Sequence, residues 1–80
     1  MAVALSEAQL RDRICEYVVG YIERVGKAPN LGILARRFGK QVGRCGKDFT
    51  ELLRNDNRFM MNVVESGATL IIADPNGIVD

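Results

Sequence analysis

Eighty residues make one domain, and a hydrophobic share of 48% belongs to a folded chain rather than a disordered one. With no histidine, two cysteines and no apolar run near the ~20 residues of a membrane span, the sequence argues against histidine acid–base chemistry, a zinc site, a disulfide scaffold and a transmembrane helix. The net charge is only +1, yet residues 27–58 carry net +5 between segments of net −1 and −3, so a polyanion would be met by the middle of the chain.

The opening Met1-Ala2-Val3-Ala4-Leu5 is too short for a secretory signal and lacks its basic lead. A cytoplasmic or nuclear protein is therefore expected, with Cys15 and Cys45 as reduced thiols and a redox switch as the alternative. Ser6 followed by Gln9 has capping-box spacing and opens a first helix. Leu10, Ile14, Tyr17, Val18, Tyr21, Ile22 and Val25 then fall on one helical face, and Gly26 supplies the left-handed cap. The first helix is predicted from about Glu7 to Val25, with Gly20 inside it as a point of close packing.

Lys27-Ala28-Pro29-Asn30 is a short connector whose proline favours extended backbone and whose asparagine is a good N-cap. The second helix places Leu31, Leu34, Ala35 and Phe38 on one face and Arg36, Arg37 and Lys40 on the other, with Gly39 and Gly43 bracketing its end. A third helix begins near Lys47, buries Phe49, Leu52 and Leu53, and stops at Asn55-Asp56-Asn57. Two strands follow, 59–64 and 68–73, joined by Glu65-Ser66-Gly67, and Asp74-Pro75-Asn76-Gly77 closes the second. The order predicts an α+β fold of the winged-helix plan, three helices followed by a C-terminal β-hairpin. It forms a single domain over residues 1–80 with an ordered core of about 6–74. A lone hairpin is marginal in water, so this one must pack on the helices, and the 27–30 connector is a candidate for a third, very short edge strand.

No catalytic site, metal or cofactor is expected. Gly43-Arg44-Cys45-Gly46-Lys47 lacks the preceding strand and the spacing of a phosphate loop and reads as a turn. Asp12, Glu16 and Glu23 lie off the apolar stripe and read as a solvated face. Cys45 has basic neighbours but no histidine partner.

The functional signal is the set Arg36, Arg37, Lys40, Arg44, Lys47, Arg54 and Arg58. Three follow the outer face of the second helix, and Arg44 and Lys47 flank the turn into the third. The N–H groups opening the third helix would add to an anion site, and together these hold two or three phosphates. The competing reading is an ordinary solvated surface. Sequence-specific duplex DNA recognition fits poorly, because the third helix carries Asp48, Glu51 and Asp56, and the wing has Glu65 and no Lys or Arg. Single-stranded or structured RNA suits such a patch better.

With the elements placed, the chain resembles the LOTUS domain, also called the OST-type helix-turn-helix. The matching residues are Ile22-Glu23-Arg24-Val25-Gly26, then Leu31, Leu34 and Phe38-Gly39, then Cys45-Gly46-Lys47-Asp48-Phe49 with Leu52-Leu53, and the two strands. The likeness spans roughly residues 8–74, and it departs at Cys45, where that family often carries an aromatic. It implies RNA binding or protein docking in post-transcriptional regulation. Members with an extra C-terminal helix dock a DEAD-box helicase. Six residues follow Asp74 here, Pro75 and Gly77 among them, so that mode is not expected. Two functions thus compete: a non-catalytic RNA-binding module, and a protein-interaction or self-association module. The latter would use a second apolar stripe on the first helix (Cys15, Val19, Ile22) or an uncovered hairpin face bearing Met60 and Val64.

Overall fold

A computed structural model describes residues 6–44, 46 and 48–77 of the chain. Helix α1 (Glu7–Val25) starts where the capping box predicts: Gln9 N donates to Ser6 Oγ at 3.1 Å, and Ser6 N donates to Gln9 Oε1 at 3.0 Å. It ends at Gly26, whose φ of 84° needs a residue without Cβ and whose N–H donates to Ile22 O. Leu10, Ile14, Cys15 and Val18 form its buried stripe. Val25, expected on that stripe, is 48% exposed in the last turn. Gly20 is not a point of close packing, since a methyl group there would meet nothing within 4 Å.

Helix α2 (Leu31–Arg44) is capped by Asn30, whose side-chain oxygen accepts from Ile33 N at 2.9 Å. The helix runs through Gly39 and Gly43 instead of ending between them. Its buried residues Leu34, Phe38 and Val42 explain this: three apolar side chains four residues apart anchor every turn, and their burial outweighs the ~1 kcal/mol each glycine costs. Ala35, expected on the apolar face, is exposed, although it lies only about 20° around the helix from buried Val42. Helix α3 (Phe49–Arg54) buries Phe49, Leu52 and Leu53 and ends at Asn55.

Strands β1 (Phe59–Val63) and β2 (Thr69–Ala73) pair antiparallel, with Phe59 opposite Ala73 and Met61 opposite Ile71. That register puts Phe59, Met61, Ile71 and Ala73 on the face packed against the helices. The turn closes with Val64 N donating to Ala68 O and Gly67 N to Val64 O, Gly67 standing at φ 87°. The expected edge strand at the connector is a single bridge: Asn30 pairs with Leu70, and Ile71 N donates to Pro29 O at 2.9 Å. Pro29 is among the fully buried side chains, so the connector is fastened to β2 as well as packed beneath it.

The described residues thus form an α+β unit of three helices and a C-terminal antiparallel hairpin, the layout of a winged helix. One core joins all five elements, from Leu10 and Ile14 through Leu34, Phe38 and Leu52 to Phe59 and Ile71. Among the described residues no helix is long and apolar enough to cross a membrane.

Candidate nucleic-acid interface

Seven basic residues mark the sequence, and the fold sorts them into three groups. Arg36, Arg37, Lys40 and Arg44 share one exposed side of α2. At ~100° per residue, Arg36, Lys40 and Arg44 advance by about 40° each and Arg37 falls just past them, so the four occupy an arc of about 100°. The arc lies roughly opposite the Leu34–Phe38–Val42 stripe, and the rise of ~1.5 Å per residue spreads it over about 12 Å of helix. Burial of the apolar stripe therefore orients the cations: packing one side of α2 forces the other into solvent.

Nothing on α2 neutralises these groups. The helix contains no Asp or Glu, so the usual pairing between residues three or four apart is closed to it. None of the four makes a salt bridge among the described residues. Arg37 is instead held over an aromatic ring, its guanidinium carbon 4.8 Å from the centroid of Tyr17 on α1. Arg44 also sits in the last turn, where the helix dipole favours a cation.

Arg54 is exposed at the end of α3, with no salt bridge among the described residues. Lys47 and Cys45 lie outside the described residues. The anion site expected at the start of α3 is already filled: Asp48 is the N-cap, its carboxylate accepting from Glu51 N at 2.8 Å, and Glu51 adds a second negative charge in the first turn. A phosphate arriving there would meet two carboxylates.

Arg58 departs furthest from expectation. Its Nη2 lies 2.6 Å from Asp56 Oδ2 and its Nη1 2.7 Å from Asp12 Oδ1, while its Nε donates to Asp56 Oδ1 at 3.0 Å. The backbone joins in, Arg58 N donating to Asp56 Oδ1 and Asp74 N to Arg58 O. Arg11 approaches the same Asp56 carboxylate at 3.7 Å and pairs with Glu7 at 3.2 Å. The Arg58 guanidinium holds Asp56 below the usual carboxylate range, and the two carboxylates push Arg58 further up. Arg58 is thus a clasp between α1 and the turn into β1. Its partner Asp12 lies about 140° around α1 from Tyr17, which faces Arg37, so Arg58 does not belong to the α2 patch.

Three residues that the basic census passed over lie beside the patch. Arg13 is exposed on α1 and lines a groove with Glu16, Tyr17, Arg37 and Phe38. Tyr17 packs edge-on to Phe38 at 5.6 Å between centroids, and Tyr21 lies 6.1 Å from Tyr17. In the sequence both tyrosines count as core positions. Their four-residue spacing behind Arg13 was the available signal, but it does not show which flank of α1 stays open.

Other features of the described residues are chemically quiet. Cys15 is buried, and desolvation raises its thiol pKa, which opposes the thiolate needed for reactivity. No group of carboxylates and cysteines among the described residues is placed to hold a metal. Comparison with protein-family models, curated proteins and solved structures finds no match to this chain.

Proposed function

We propose that the chain is a non-catalytic RNA-binding module that grips phosphates with the outer face of α2. The observation that carries this reading is Arg36, Arg37, Lys40 and Arg44 on one exposed arc with no carboxylate partner among the described residues. Unpaired cations 12 Å or so along a rigid helix match a sugar-phosphate strand laid alongside it. Duplex DNA fits less well. The third helix presents Asp48 and Glu51 where a groove would bring phosphates, and the described hairpin carries no Lys or Arg to act as a wing contact. The resemblance to LOTUS domains, with the post-transcriptional role it implies, agrees with this reading.

Titration of single-stranded RNA across a range of salt tests it. Four phosphate contacts give a slope of log affinity against log salt near −3, at ~0.7 per contact. Reversing Arg36, Arg37 and Lys40 to Glu abolishes binding if the reading is right, and leaves it unchanged if it is wrong.

A second reading, a protein-docking hairpin face bearing Met60 and Val64, has Met60 42% exposed and Val64 half-buried. Val63, 68% exposed, lies on the opposite face of β1 from Met60 and does not extend that patch. Of the α1 stripe proposed for the same role, Cys15 is buried, and Val19 and Ile22 are half-buried against the core. Sedimentation at high protein concentration checks this reading, which requires a dimer or a captured partner.

A further inference from the structure

We infer that the groove between α1 and α2 is a pocket for one unpaired nucleobase. This rests on the RNA reading above and names the substrate class more narrowly, as single-stranded RNA with exposed bases. The groove holds about 290 Å³ and is lined by Arg13, Glu16, Tyr17, Arg37 and Phe38. An open groove of this size can admit one flat ring. Its walls have the chemistry that single-stranded nucleic acid uses, aromatic faces and a planar guanidinium next to free cations.

The geometry defines the stacking surface. The Arg37 guanidinium carbon sits 4.8 Å over the Tyr17 ring, so the cation and the aromatic side chain form one joined wall of the groove, and Arg37 is exposed. Tyr17 is itself held by its edge contact with Phe38, so the platform is braced from the core side. Tyr21, half-buried and tilted by 43° against Tyr17, extends the aromatic surface along α1. Arg13 stands exposed on the α1 wall without a salt bridge among the described residues, and Arg37 stands on the α2 wall. A strand that crosses the groove from the α2 arc therefore meets a further cation on the α1 side. Glu16 on the rim repels a phosphate entering the groove itself and offers an acceptor to a base amino group.

The chain has two tyrosines and no tryptophan, so its intrinsic emission reports on Tyr17 and Tyr21 alone. The test compares two ligands on the full chain: single-stranded oligoadenylate of about ten nucleotides, and an abasic ribose-phosphate strand of the same length. Expected are quenched tyrosine emission with oligoadenylate only, and affinity about tenfold above the abasic strand, the increment of a single stacked base. Tyr17→Leu removes that increment, while Tyr17→Phe keeps it. If the two ligands bind equally and neither quenches, the base pocket is overturned and the phosphate-binding reading stands. If neither binds, both are overturned. The wild-type comparison decides the matter should Tyr17→Leu fail to fold.

Discussion

The Arg58 guanidinium meets the Asp12 carboxylate at 2.7 Å across 46 positions of sequence. Together with Asp56 it fastens the middle of α1 to the turn that launches β1, a job no helix propensity can do. Asp56 is the more enclosed partner, its side chain 9% exposed against 25% for Arg58. Removing Asp56 leaves a guanidinium with reduced compensation and frees the Arg58 N–H. Asp56→Ala is expected to destabilise the fold by about 2–3 kcal/mol, less than the 3–5 of a fully buried pair because Arg58 keeps Asp12 and some water. Chemical denaturation checks this, and an unchanged midpoint would show the clasp to be ornamental.

The same pair sets an acid limit. Hydrogen bonds from Arg58 hold the folded-state pKa of Asp56 below its unfolded value of ~3.9. The unfolded chain therefore binds this proton more readily than the folded chain. The stabilisation is fully present above about pH 4 and drains away as the pH falls through the lower, folded-state value. Melting temperature measured from pH 6 down to pH 2 is expected to drop steeply below about pH 4 in the wild type. In Asp56→Asn that part of the drop is missing.

The glycines of α1 and α2 lead to a prediction of opposite sign. Gly20 and Gly39 sit inside helices at ordinary helical φ, and a Cβ at either would meet nothing within 4 Å. Alanine there removes backbone freedom from the unfolded chain without a clash. Gly20→Ala and Gly39→Ala are each expected to stabilise by about 0.5–1 kcal/mol, raising the melting temperature by several degrees in a domain of this size. Gly26→Ala is the contrast, because φ of 84° strains any residue with a Cβ. A rise in stability on that substitution would contradict the cap geometry.

Local signals were legible in the sequence where the chemistry is local. Ser6 with Gln9 and then Gly26 mark both ends of α1, and Glu65-Ser66-Gly67 marks the hairpin turn, because capping and turn formation depend on neighbours a few residues away. The far end of α2 was not legible: Gly39 and Gly43 argue for a stop, and only the packing of Val42 against the core overrules them. Arg36, Arg37 and Lys40 share the face that helical periodicity assigns them, and Arg44, read as part of the turn, joins them because α2 runs on through Gly43. The fate of Arg58 depends on Asp12, far away in sequence, and a count of charges cannot see that pairing. Asp48 shows the same limit in miniature, being read as an outward charge when its carboxylate is spent on capping α3.

These placements separate the cations exposed on the α2 arc from Arg58, which is spent on holding the fold together. Arg36→Ala, Lys40→Ala and Arg44→Ala each remove from the α2 arc one exposed cation that has no salt bridge among the described residues, without touching the core. Each is expected to leave melting within about 0.5 kcal/mol of wild type and to flatten the salt slope for single-stranded RNA by about 0.7. Arg58→Gln behaves in reverse. It breaks the bridges to Asp12 and Asp56, so stability falls by about 2 kcal/mol. Because its charge is already neutralised and lies on the other flank of α1, the salt slope of the folded variant is unchanged. Measuring slope and stability for all four variants separates the two roles. A flattened slope in Arg58→Gln, or none in the α2 variants, would move the interface off α2, since counterion release follows only the cations that displace counterions from the phosphates.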